Sequence, residues 1–302
     1  MNNAPERLIV LGNGFDLAHG LHTRYLDFLK TVQCENSSFY EAVCQYIPEN
    51  ALWRNFEEAL ACLDDEQLRD DNSCYLLGYG DDNWRDSAHH DFQYMIGEFL
   101  SFSKYIPEYF LDWIKAVDTS AHKIIPLDIF NDNSIYLNFN YTDTLEKVYS
   151  ISEDRILYIH GKALRNDFLV VWHHDEGLIQ EDEEPAFETE EEKELYYENY
   201  DEDVRITEAN AIIKDYFINT FKNTDEIIEK YSGFFEILAG VHEIHIYGHS
   251  LSDIDFNYFL EIRNRTSDKS IWRISYHNDK DYVNANMFVK KLGILNYELF
   301  FF

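Results

Sequence analysis

The sequence predicts an α/β protein built on a Rossmann-like parallel sheet with helical insertions, and three observations predict it. Short strand-like runs recur along the chain, helical patterns separate several of them, and four strand ends open into turns carrying Gly, Asn, Asp and His. In such sheets a ligand sits at the carboxyl ends of the strands, where the strand order reverses.

The first strand is Arg7–Leu11, which turns at Gly12-Asn13-Gly14. A short helical segment, Phe15–His19, stops at Gly20. Thr23 can cap the next helix, whose Tyr25, Leu26, Phe28, Leu29 and Val32 share one face. Helical spacing of aromatics and aliphatics then fills Phe39–Ile47, Leu52–Leu63 and Phe92–Trp113, with a polar loop expected at Asp81–Asp91. Strand patterns return at Ser134–Asn138, Arg155–His160, Glu243–Tyr247, Ile271–Tyr276 and Asn296–Phe302. Helices are expected at Asp143–Tyr149, Asp255–Arg265 and Asp281–Leu292. The organisation that follows is a core of residues 1–36 and 134–302, a helical insertion at 37–133, and an acidic helical or loop insertion at 175–236 within the core.

Composition bounds the function. Of 302 residues 45% are apolar, with 22 Tyr and 22 Phe, enough for a substantial core. Against 25 basic residues stand 57 acidic ones, a formal charge of −32. Such a field repels polyanions, so neither nucleic acid nor an anionic membrane is an expected partner. The segment between Asp175 and Glu208, with sixteen acidic and two basic residues, reads as a solvated arm or a flexible lid. No run of 18 apolar residues and no basic, apolar leader is present, so the expectation is a cytoplasmic protein. Cys34, Cys44, Cys62 and Cys74 form no C-x-x-C pair and read as reduced packing thiols; no metal site is expected.

Four turns carry the chemistry. In LGNGFDLAHGL, Leu11–Leu21, a strand ends in Gly-x-Gly and enters a helix, which brings backbone amides and the positive helix end to one point, as a pyrophosphate requires. The fingerprint G-x-G-x-x-G is not met, because Leu17 occupies the third Gly position. In LNFNYTDTLE, Leu137–Glu146, the turn presents Asn138, Asn140, Tyr141 and Asp143. In YIHGK, Tyr158–Lys162, His160 is read as the last strand residue; in IYGHSLSDIDF, Ile246–Phe256, a strand, Gly and polar turn again enter a helix. Each turn alone is more often structural than functional, and the case rests on all four lying at one end of one sheet.

The order of these turns resembles the sirtuin-like, DHS-like type of NAD/FAD-binding fold. GNGFDLAHGL, FNYTDTLE and GHSLSDID look more narrowly like the AbiH family of bacterial abortive-infection proteins, over about Leu8 to Asn278. The resemblance implies that Gly12 and Gly14 wrap the pyrophosphate of NAD, with Asn13, Phe15 and Asp16 on the nicotinamide side. Asn140 would hold the ribose and the attacking water, and His160 would be the general base. Tyr141 and Asp143 are assigned to the cofactor side, although Thr142 stands where many sirtuin-like defence proteins have Asp. Gly248, Ser250 and Asp253 would face the adenosine half, and Asn278 the adenine ribose. The four-Cys zinc module of deacylating sirtuins is absent from the sequence, which argues against protein deacylation.

The implied activity is NAD glycohydrolysis, giving nicotinamide and ADP-ribose, in anti-phage abortive infection. The transition state is oxocarbenium-like, as in glycoside hydrolysis. An Asn to fix ribose and water and a His to take a proton are chemically sufficient. Two other readings stay open: a module that binds NAD or ADP-ribose without cleaving it, and a metal-dependent phosphodiesterase or nuclease using Asp16, Asp143, Asp253 and Asp255. The expected partner is a small-molecule nucleotide, with a homo-oligomer or a phage-derived trigger as further candidates.

Overall fold

The computed structural model describes residues 5–78, 80–126, 129, 130, 133–180, 189 and 203–302. Its centre is a six-stranded, all-parallel sheet: β1 (Arg7–Leu11), β2 (Ser134–Asn138), β3 (Ile156–Tyr158), β4 (Glu243–Tyr247), β5 (Ile271–Tyr276) and β6 (Tyr297–Phe301). The spatial order is β3-β2-β1-β4-β5-β6, the order of the doubly wound dinucleotide-binding sheets. The chain therefore leaves β1 toward one edge and returns beside it as β4, and the crevice between these two strands is the switch point.

Burial explains the strand sequences. Leu8, Ile9, Val10 and Leu11 are all fully buried, as a central parallel strand covered on both faces must be. On one face Leu8, Val10, Leu137, Ile244, Ile246 and Ile274 pack under Phe235, Phe259 and Phe288. On the other, Ile9, Leu11, Tyr136 and Tyr158 pack under Leu145, Val148 and Ile125. The side chains alternate between the faces because successive residues of a strand point opposite ways.

The chain divides into two compact units. The first, Met1–Thr31, Pro107–Val171 and Asn223–Phe302, contains the sheet and its covering helices. The second, Val32–Ile106 with Trp172–Lys222, is helical, and its largest packing is the helix Ala88–Leu100 against Val204–Asn219. Within it the Tyr216 hydroxyl donates to the Leu60 carbonyl at 2.9 Å, and Lys222 Nζ pairs with Glu57 at 3.3 Å, both side chains largely shielded.

Several elements differ from expectation. The helix expected over Phe92–Trp113 is two helices, Ala88–Leu100 and Ile106–Ala116, joined by the 3-10 turn Ser101–Tyr105; Pro107 suits the first turn of the second and would break a single long helix. Leu52–Leu63 is likewise broken, with Glu49–Arg54 ending at Asn55, whose extended backbone starts Phe56–Ala59. Strand β3 stops at Tyr158, so His160 lies beyond the strand and not at its last residue. The cysteines are free, but Cys34, Cys62 and Cys74 are exposed, so packing does not account for them. Residues 181–188 and 190–202 of the acidic segment lie outside the described residues. No described helix is long and apolar enough to cross a membrane.

Candidate functional site

The sheet register brings the four turns level. Tyr158 pairs with Asn138, Asn138 with Leu11, and Leu11 with Tyr247, so the last residues of β3, β2, β1 and β4 form one row. The segments after them leave from the same height, on either side of the switch point.

Two of these turns close against each other. Gly12 N–H donates to the Tyr247 carbonyl at 3.0 Å, and Gly14 N–H to the Gly248 carbonyl at 2.7 Å. Gly248 has φ +62, and a Cβ there would lie 2.2 Å from Phe15 N; one on Gly14 would lie 2.7 Å from Gly248 Cα. The glycines are thus required by the contact of the two backbones, and the amides of Gly12 and Gly14 already have carbonyl partners. Asn13 is equally engaged: its Nδ2 donates to the Thr23 carbonyl at 2.9 Å, and its Oδ1 accepts from Thr23 Oγ1 at 2.6 Å. Phe15 is buried in the core, 4.4 Å from the His19 ring.

Behind the glycine turn lies Asp16, whose carboxyl is 1% exposed and accepts from Thr142 Oγ1 at 2.6 Å. Its second oxygen has no hydrogen-bond partner. Burial pushes this carboxyl up to about 6, against the pull of the Thr142 and Thr144 hydroxyls. Thr142 therefore ties the Asn-Tyr turn to the glycine turn.

Asn140 makes a second tie. Its N–H donates to Asn138 Oδ1 at 3.0 Å, which shapes the turn, and its Nδ2 donates to the Gly12 carbonyl at 3.1 Å. Tyr141 is buried with its hydroxyl donating to the Val170 carbonyl at 2.7 Å. Asp143 faces away, accepting from Thr119 at 2.9 Å and pairing with Lys147 at 3.2 Å.

His160 is held by backbone on both sides. Its carbonyl accepts from Val170 N–H at 3.0 Å, and Gly161, at φ +91, turns the chain immediately after it. The imidazole is 4% exposed and stands perpendicular to the Phe139 ring at 5.2 Å. Its Nε2 is 3.7 Å from Asp255 Oδ1. The other oxygen of Asp255 lies 3.4 Å from His249 Nε2. Leu251 N–H donates to His249 Nδ1 at 2.9 Å, which leaves the proton of a neutral His249 on Nε2, toward the carboxylate. Leu251 adopts φ +55, an unfavourable backbone for a branched residue, and the His249 bond helps hold it there.

The remaining candidates do not join this group. Ser250 is exposed and reaches Ser252 at 3.4 Å; Asp253 is 88% exposed and pairs with Lys291 at 2.5 Å. Asn278 caps the helix Asp279–Lys291, accepting from Asp281 N–H at 3.0 Å. The four acids considered for a metal are thus directed to threonines, lysines and histidines, and no group of three or more His, Cys, Asp or Glu among the described residues could hold a metal ion. The residues that sequence reasoning passed over are His249, which follows the β4 glycine, and Asp255, weighed only as a metal ligand. A His one residue beyond a Gly, with an Asp opening the next helix, was the available signal.

The fold and the cluster define a doubly wound parallel α/β protein with a buried His–Asp–His array beside its switch point. A family model, bacteriophage abortive infection AbiH, matches residues 8–276. The chain belongs to the AbiH family, and its role is in abortive infection by bacteriophage. No curated protein and no solved structure matches it.

Proposed function

We propose that the chain is a sirtuin-like NAD glycohydrolase of the cytoplasm, which cleaves NAD to nicotinamide and ADP-ribose when abortive infection is triggered. The observation that carries this reading is the position of Asn140 and His160 just beyond two register-paired strand ends, Asn138 and Tyr158, next to the switch point. There the nicotinamide C–N bond breaks with its electron pair going to the cationic pyridinium, and neutral nicotinamide leaves. Water bonds to the ribose carbon and gives its proton to His160. Asn140 orients the ribose and the water with its amide, and base assistance of this kind is worth about 10²–10⁴-fold.

The glycine turn fits a pyrophosphate only in part. The amides of Gly12 and Gly14 are engaged by the β4 turn, so gripping the diphosphate there requires the Gly14–Gly248 bond to open. A closed turn of this kind suits an enzyme that stays silent until triggered, since constant loss of NAD would kill the host. One observation favours a second reading, a module that binds NAD or ADP-ribose without cleaving it: the Asn140 amide already donates to Gly12, a bond a purely structural Asn would make.

Chromatography of nicotinamide released from NAD, together with calorimetric binding, separates the two. Release that is lost in His160→Ala supports the glycohydrolase. Measurable binding without release under any activating condition supports the module.

A further inference from the structure

In the motif GHSLSDID the resemblance assigns the adenosine side only to Gly248, Ser250 and Asp253, of which Ser250 and Asp253 are exposed. Its two other polar residues turn inward. His249 and Asp255 come from opposite ends of the β4 turn and meet below the Phe139 ring, which stands edge-on to His249 at 4.5 Å and to His160 at 5.2 Å. Asp255 presents one oxygen to each imidazole, at 3.4 Å to His249 Nε2 and 3.7 Å to His160 Nε2. All three side chains are nearly sealed from solvent, at 3%, 4% and 11% exposure.

We propose that Asp255 and His249 are positioning residues for His160: Asp255 holds the His160 imidazole in place and stabilises its protonated form, and His249 holds Asp255. This deepens the glycohydrolase reading and rests on it for the identity of the reaction.

The chain of physical causes begins in the backbone. Leu251 N–H donates to His249 Nδ1, so the ring offers Nε2–H as a donor. That donor lies 3.4 Å from one carboxylate oxygen of Asp255, and the other oxygen lies 3.7 Å from His160 Nε2. The groups set against His160 are Asp255, the phenol rings of Tyr141 and Tyr258, and the apolar Phe139 ring. Asp255 is the one carboxyl among these, and its ionised form is the negative charge that an imidazolium at His160 would face. As His160 accepts a proton from the attacking water, the nearby carboxylate stabilises the imidazolium, the role an acid plays in a Ser-His-Asp arrangement. The β4 turn would then serve the base and not the adenosine.

Two measurements on the full chain test this. Imidazole ¹H–¹⁵N spectra across pH should show His249 as the Nε2–H tautomer and His160 titrating about one pH unit lower in Asp255→Asn than in the wild type. NAD turnover should fall at least about tenfold in Asp255→Asn with KM within about threefold, and its acid limb should move to lower pH. His249→Gln, whose amide can still donate to Asp255, should retain more of the rate than His249→Phe, which fills the ring space without a donor. An unchanged His160 titration in Asp255→Asn, or a Phe variant as active as the Gln variant, overturns the proposal. If the wild type releases no nicotinamide, the glycohydrolase reading fails, and the spectra still decide whether Asp255 controls His160.

Discussion

Gly14 and Gly248 meet backbone to backbone at the switch point of the sheet, with Gly14 N–H donating to the Gly248 carbonyl at 2.7 Å. The contact joins the turn after β1 to the turn after β4, two segments that the chain separates by more than the length of an average domain. Both residues must lack a Cβ for the approach, and Gly248 must also hold a left-handed backbone.

Alanine at either position should therefore destabilise the fold. Gly14→Ala forces a Cβ to 2.7 Å from Gly248 Cα, and Gly248→Ala adds a strained φ to a 2.2 Å clash with Phe15 N. Losses of about 3 kcal/mol or more are expected in urea melts, as for overpacking with backbone strain. Gly20→Ala is the control: φ is +83 but nothing lies within 4 Å, so about 1 kcal/mol is expected. Equal losses at all three would show that the two turns do not touch.

Asp16 makes stability depend on pH in a defined direction. Its folded value, about 6, lies above the unfolded value of 3.8, so the buried carboxyl supports the fold below pH 3.8 and that support is lost as pH rises through 6. Asp16→Asn removes the charged form. At pH 8 the variant should be more stable than the wild type by about 3 kcal/mol, and the gap should narrow below pH 6. Denaturant melts at pH 4.5 and 8 check this; a constant gap would contradict the burial of the carboxyl.

Asn278 acts as a helix cap. Asn278→Ala should cost about 1 kcal/mol of stability through the lost bond to Asp281 N–H and leave the KM for NAD within about twofold. A large rise in KM without a change in melting would return this residue to the ligand.

Much of this was legible in the residues. The strands β1, β2, β4 and β5 match their expected bounds because each is a short apolar run bounded by turns. The placement of Gly12, Asn140 and His160 was legible for the same reason: they follow strand ends, and register fixes their level. What the residues did not disclose was direction. Nothing local distinguishes Asp253, which turns out to Lys291, from Asp255, which turns in to two histidines, since the choice depends on the 3-10 turn Asp253–Asp255 and on what packs over it. Nor does a Gly-x-Gly turn reveal whether its amides await a phosphate or a carbonyl. Here the carbonyl of Gly248, far along the chain, takes one of them.

The central claim is that His160 takes the proton in NAD cleavage. The most direct measurement is NAD content in cells expressing the wild type beside His160→Ala, with and without phage. The account predicts that NAD falls on infection only with the wild type, while both proteins accumulate equally and bind NAD within a few-fold of each other. Equal loss of NAD with His160→Ala would contradict it.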